Sequence, residues 1–281
     1  MGNCKVFTNS VSDLPPSFAQ EYNVGVVPDI IILNNIEYLC SVNLNPPELY
    51  KMMRGSRALP TTSHPNEYIY ANSFRTAEEY DEILCINVTT RMSGSFGTAN
   101  STAKALAEEG FKPRIYTYDS RQVSYGMSLM VIEAAKLAKE GKTAQEIMDY
   151  LDTIRDKVKV YFVMRSLENA KKGGRVGEIK SLTATLLGIH PILTFREGTI
   201  KEIRLMHTFD RAVLRVADYY RKSGSSGKRV FIFHADNEPD ALRIRQCVLE
   251  YDPQADIHID WIGAAIGVYA GEGTVGLAFL E

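Results

Sequence analysis

The chain has no CxxC pair and no cluster of cysteine with histidine. Cys4, Cys40, Cys85 and Cys247 are scattered, and the five histidines are dispersed as well. A structural zinc site needs such ligands gathered together, so metal ligation finds no support. The thiols read as free, which fits a reducing compartment and a cytoplasmic protein. No stretch approaches the 18 or more consecutive apolar residues of a membrane-spanning helix. The opening Met1-Gly2-Asn3-Cys4-Lys5 lacks the basic-then-apolar layout of a secretory leader, and Val6 stands where a myristoylation signal has a hydroxyl residue. An excess of one charge is also missing. With 32 basic against 34 acidic residues and a net charge of -2, the chain has no strong overall field to draw in nucleic acid.

What is there is enough for a large core: 281 residues, 45% of them hydrophobic, or about two ordinary domains. In the first half, strand-like runs (Lys5–Thr8, Val24–Leu33, Ile83–Val88, Arg114–Tyr118) alternate with Ala-rich helical segments. Thr98–Glu109 stops at Gly110, Met127–Glu140 stops at Gly141, and Thr143 with Glu146 forms a capping box for a helix to about Asp156. Such alternation predicts βαβ units and a mainly parallel sheet. The second half reads as strand Val158–Met164, a hairpin of Pro191–Phe195 with Thr199–Leu205, helix Phe209–Lys222, strand Arg229–Phe233, helix Glu238–Tyr251 and strand Asp256–Ile262. The expected fold is α/β in two domains. Residues 1–157 are expected to form a mainly parallel-sheet domain and 158–281 a mixed-sheet one.

Five segments at the ends of these elements are rich in hydroxyls, glycine or basic side chains. Thr8-Asn9-Ser10-Val11-Ser12-Asp13-Leu14-Pro15 follows the first strand, where open parallel sheets bind ligands. It reads equally as a turn in which Ser12 or Asp13 caps the next helix. Thr61-Thr62-Ser63-His64-Pro65 packs three hydroxyls and an imidazole between two prolines, a donor set suited to a carboxylate or phosphate. Thr89 to Thr98, containing Ser93-Gly94-Ser95, lies between a strand and a helix N-terminus that favours an anion. It matches neither the GxGxxG nor the GxxxxGK[ST] fingerprint, nor a GxSxG elbow. Lys171-Lys172-Gly173-Gly174-Arg175-Val176 and the glycine-rich Gly263–Gly273, with Tyr269, complete the set. Taken singly, each is as well explained by a turn, a cap or close packing.

In this order, over nearly the whole chain, the segments resemble the DegV family of bacterial fatty acid-binding proteins. The TDSTSDLP-type opening reads Thr8 to Pro15, followed by Val26-Val27-Pro28, and the TSQP motif reads Thr62-Ser63-His64-Pro65. The LSGTY-type loop reads Met92-Ser93-Gly94-Ser95-Phe96, and the DS…S.G segment is Asp119-Ser120 with Ser124 and Gly126. GGRI reads Gly173-Gly174-Arg175-Val176, IKPI reads Ile189-His190-Pro191-Ile192, and the G..IG.H.GPG signature reads Gly263 to Gly273.

The resemblance implies two α/β domains holding one long-chain fatty acid, with no cofactor, no metal and no catalytic residue. It places the carboxyl head on Thr62, Ser93 and Tyr269, with Ser63, Gly94, Ser95, Ser10 and Arg175 around it. It also implies presentation of the bound acid to a separate kinase subunit, with Arg204 on the partner surface. Four departures stand out: Tyr269 replaces the family's His, Glu272 the Pro of GPG, His64 the Gln of TSQP, and Asn9 the Asp of the opening motif. Tyr269 still donates a hydrogen bond, whereas Glu272 would repel an anionic head unless it points away. The alternatives are a phosphotransferase or hydrolase using the Ser93 loop as an anion cradle and His64 as base, and a binding module whose ligand has changed.

Overall fold

The computed structural model describes residues 3–56, 58–176, 179 and 188–281. The leader and myristoylation readings, which turn on Met1 and Gly2, therefore lie partly outside the described residues. β1 (Cys4–Asn9) is buried on both faces, as a central parallel strand must be. α1 (Pro16–Glu21) begins with proline at its first position and no side-chain cap. The expected cap from Ser12 or Asp13 is absent because a 3₁₀ turn over Ser10–Ser12 comes first and Asp13 then turns inward at φ 55°. The run Val24–Leu33, expected as one strand, is two: β2 (Gly25–Val27) and β3 (Ile30–Leu33). Pro28 has no N–H to give a ladder, and the chain changes sheets there.

β3 pairs antiparallel with β4 (Ile36–Leu39) across an Asn34-Asn35 turn with both φ positive, the primed-turn geometry. α2 (Pro46–Gly55) opens with an Asn45/Glu48 capping box, and β5 (Thr61–Ser63) joins the other side of β3. α3 (Glu67–Arg75), β6 (Glu82–Asn87), α4 (Ser95–Glu108), β7 (Arg114–Asp119), α5 (Ser124–Lys139) and α6 (Ala144–Ile154) follow. The Thr143/Glu146 capping box forms as the sequence predicts. All pairings in the sheet β2-β1-β6-β7 are parallel.

β8 (Val158–Val163), α7 (Glu168–Lys172), β9 (His190–Arg196), β10 (Thr199–Met206), α8 (Phe209–Ser223), β11 (Arg229–His234), α9 (Glu238–Tyr251), β12 (Asp256–Trp261), α10 (Ala264–Ala270) and β13 (Val275–Leu280) complete the chain. Their sheet, β10-β9-β8-β13-β11-β12, is mixed, with β11 and β12 its parallel pair. Two elements depart from expectation: the glycine-rich Gly263–Gly273 contains helix α10, and β13 fills the middle of the second sheet. The protein is thus an α/β fold with one parallel sheet, one mixed sheet and a small antiparallel sheet, β4-β3-β5.

The two sheets share one core. α5 is buried along most of its length, with Tyr125, Met127, Met130 and Val131 each at most 1% exposed, and packs on β1 as well as β8 and β13. Tyr125 stacks on Phe233 at 5.4 Å between ring centroids, and its hydroxyl donates to the carbonyl of Trp261 at 2.6 Å. A cavity opens along this seam.

Candidate functional site

The cavity has a volume of about 620 Å³, within the range of small-molecule sites. Its interior is mostly apolar. Val160 and Phe162 come from β8, Phe195 from β9, Phe233 from β11, Val88 follows β6 and Ala265 comes from α10. On its exposed side, the mouth, lie Ser63, His64, Gly94 and Arg175 together with Thr62, Ser93 and Tyr269, while Asp29, Thr90, Ser124 and Thr274 are further polar groups of the lining.

Each mouth group arrives for a local reason. β5 pairs with β3, opposing Thr62 to Ile31 and Ser63 to Ile30. Alternation along the strand turns Thr62 toward α10, where its Oγ1 lies 2.5 Å from the Tyr269 hydroxyl. Gly173 makes room for that ring, since a Cβ there would stand 2.4 Å from it. The Arg175 guanidinium sits over the other side of the mouth, 5.2 Å from the centroid of Tyr269. Ser93 lies in the loop between β6 and α4; its Oγ accepts from the backbone N–H of Ser95 at 3.2 Å and sits 3.1 Å from the Ser95 hydroxyl. The first N–H groups of the 14-residue α4 point toward this loop, with Gly94 as N-cap. The His64 ring lies over Gly94.

Of the residues singled out from sequence, Thr62, Ser63, Ser93, Gly94, Arg175 and Tyr269 converge on the mouth. Ser10 and Ser95 stand behind the wall. Ser95 is fully buried and supports Ser93, while Ser10 donates to Asp29 Oδ2 at 2.8 Å and accepts from the Asp29 N–H at 2.9 Å. Arg204 lies elsewhere, exposed on the edge strand β10 beside a bulge. Glu272 turns from the mouth to Arg54, 3.2 Å away, which also pairs with Asp236 at 2.5 Å. Its charge is therefore partly neutralised outside the cavity. Asn9, fully buried, donates to the Tyr70 hydroxyl at 2.6 Å, so this position holds a neutral hydrogen-bonding group where a buried charge would need a counterion.

Sequence reasoning missed one buried carboxyl, Asp29, and read another, Asp13, as a helix cap or part of a ligand-binding turn. Asp29 lines the cavity and is 3% exposed. Asp13, beside Gly263, accepts a 2.5 Å hydrogen bond from Ser124. Burial pushes Asp13 up to about 8 and Asp29 up to about 7, against the hydrogen bonds that favour their ionised forms. The signal for Asp29 was a lone carboxylate inside the Val/Ile run Val24–Leu33.

These shifts set a pH dependence. An unfolded chain releases both protons near the ordinary value of 3.8, while the folded chain holds them. The folded state therefore binds more protons in the window from about pH 4 to about 8, and stability present below it is lost as pH rises through it. Thermal melts are expected to fall steadily between pH 5 and 8, and Asp13→Asn should flatten that fall. Equal slopes in the two proteins would contradict a neutral buried Asp13.

Comparison with known proteins places this geometry. Residues 3–281 match a family described as "Uncharacterised protein, DegV family". A DegV domain-containing protein from Halalkalibacterium halodurans is 29% identical over 283 residues, covering 99% of each chain. The solved structure of a DegV family protein from Thermus thermophilus, described for fatty acid binding, superposes with a TM-score of 0.90 at 28% identity, covering 100% of both chains. The structure of the Bacillus subtilis DegV protein shares the fold, with a TM-score of 0.88 at 23% identity and 100% coverage of both chains.

Proposed function

The chain belongs to the DegV family, and from that premise we propose that it binds one long-chain fatty acid, with the tail in the cavity and the carboxylate at its mouth. The observation that carries this reading is a mostly apolar cavity whose lining carries the hydroxyls of Thr62, Ser93 and Tyr269 and the guanidinium of Arg175. Burial of an acyl chain contributes about 0.8 kcal/mol per CH₂, so the tail supplies most of the affinity. Hydrogen bonds to the charged head contribute about 1.5–3 kcal/mol each and fix its orientation. Thr62, Ser93 and Tyr269 are the head-group donors in this reading. Ser63, Gly94 and Arg175 flank them, and Ser95 and Ser10 brace the wall. The protein acts by holding its ligand, without a chemical step. The enzyme alternative has less support, because the Ser93 hydroxyl is engaged with Ser95 and not with the base that it would require.

Two further parts of the reading concern the rest of the molecule. The mouth opens on exposed residues, Ser63, His64, Gly94 and Arg175, where a bound carboxylate is within reach of a separate kinase subunit. Arg204 lies on the edge strand β10 with Ile203 and Leu205, which are 38% and 41% exposed, a mixed charged and apolar surface suited to a protein partner. We also read the chain as domains 1–157 and 158–281, since the strands of the parallel sheet all precede this division and those of the mixed sheet all follow it. The four free cysteines fit a cytoplasmic protein, and among the described residues no helix is long and apolar enough to cross a membrane.

Titration of delipidated protein with palmitate tests the head-group assignment. Ser93→Ala and Thr62→Ala are each expected to weaken binding by roughly 10- to 150-fold with the melting temperature nearly unchanged. Two variants that bind palmitate as tightly as the parent would remove the assignment.

A further inference from the structure

Asp29 sets this cavity apart from a simple apolar slot. The hydrogen bonds from Ser10 Oγ at 2.8 Å and from the Val11 N–H at 3.3 Å both fall on Oδ2. Oδ1 has no side-chain partner among the described residues, and Asp29 belongs to the cavity wall. The residue is 3% exposed and lines the cavity, and the backbone of Ser10 also supports its carboxylate, so the occupant of the cavity is the further partner open to it. A plain alkyl chain passing it leaves a buried polar group unsatisfied, which carries a penalty that a hydrogen-bonding ligand avoids.

Its position along the ligand follows from strand register. Thr62 opposes Ile31, and Asp29 lies two residues back along the chain from Ile31. Residues diagonal in this sense stand about 7–8 Å apart on one face of a sheet. The last pair of this register is Ile30 with Ser63, and the residues that flank it, Asp29 and His64, both line the cavity. A chain whose carboxylate rests on Thr62 therefore passes Asp29 in its carboxyl-proximal half.

We infer that Asp29 is a second polar contact for the ligand and selects an acyl chain carrying a hydroxyl in its carboxyl-proximal half over the unsubstituted chain. The hydroxyl suits either state of the group, since it donates to a carboxylate and also accepts from a carboxylic acid. This rests on the fatty acid reading above and adds to it the chemistry of the preferred tail.

The test is competition binding of stearate, 3-hydroxystearate, 6-hydroxystearate and 12-hydroxystearate to delipidated protein. The parent is expected to bind the 3- or the 6-hydroxy acid about tenfold or more tightly than stearate, and to gain nothing from the 12-hydroxy acid. Asp29→Leu should abolish the preference and tighten stearate, and Asp29→Asn should retain most of the preference. Equal affinity of the parent for all four acids, the result expected if a water satisfies Oδ1, would overturn the inference while leaving fatty acid binding intact. A gain confined to the 12-hydroxy acid would overturn it too. Failure of stearate itself to bind would remove the fatty acid reading and this inference together. The parent's ranking of the four acids decides the matter even where a variant does not fold.

Discussion

Replacing Ala265 with Phe is expected to abolish tight binding of long-chain acids while leaving the protein folded. Ala265 sits on α10, is 4% exposed and lines the cavity. Because Ala265 belongs to the cavity lining, a phenyl ring here is expected to enter open volume, which spares much of the usual cost of overpacking a filled core. The ring displaces the stretch of ligand that would lie against α10. Excluding about six methylenes costs on the order of 5 kcal/mol, which weakens binding by roughly three orders of magnitude or more. The melting temperature of the empty protein should hold or rise, because apolar surface now fills a void. Retained affinity in a folded Ala265→Phe protein would mean that the tail lies somewhere else.

Tyr125→Ala is expected to have the largest effect on stability. Tyr125 comes from α5, between the two sheets, and is 1% exposed. Its ring packs on Phe231 and Phe233 at centroid distances of 5.1 and 5.4 Å, and its hydroxyl donates to the Trp261 carbonyl at 2.6 Å. Truncation leaves a cavity the size of an aromatic ring and an unpaired carbonyl, a loss of about 3–5 kcal/mol. Tyr125→Phe keeps the ring and loses only the hydrogen bond, about 1 kcal/mol. Denaturant melts separate the two. Similar losses in both variants would show that the hydrogen bond, not the ring, joins the sheets.

Much of this architecture was legible in the chain because its signals are local. The Thr143/Glu146 box, the hairpin through Glu197 and Gly198, and the helix Glu238–Tyr251 each depend on neighbours a few residues away. The mouth was legible for a different reason: an ordered set of motifs resembling one family named Thr62, Ser93 and Tyr269 together. α10 was not legible because Gly263, Gly267 and Gly271 look like a loop. In the fold, Gly267 serves packing within a helix, since a Cβ there would stand 2.4 Å from the Tyr50 hydroxyl. The walls of the cavity were not legible either. Val160, Phe195 and Phe233 have the same character whether they face a neighbour or an empty volume, and only the three-dimensional arrangement tells these apart. Asp29, also missed, does carry a local signal as a carboxyl in an apolar run, but its partner, Ser10, lies 19 residues away in the chain.

Native mass spectrometry of delipidated protein offered stearate, with Ala265→Phe measured alongside, tests the central claim most directly. The account predicts a single bound stearate on the parent at stoichiometric ligand and none on the variant. A parent that takes up no stearate, or a variant that binds it equally well, would contradict the account.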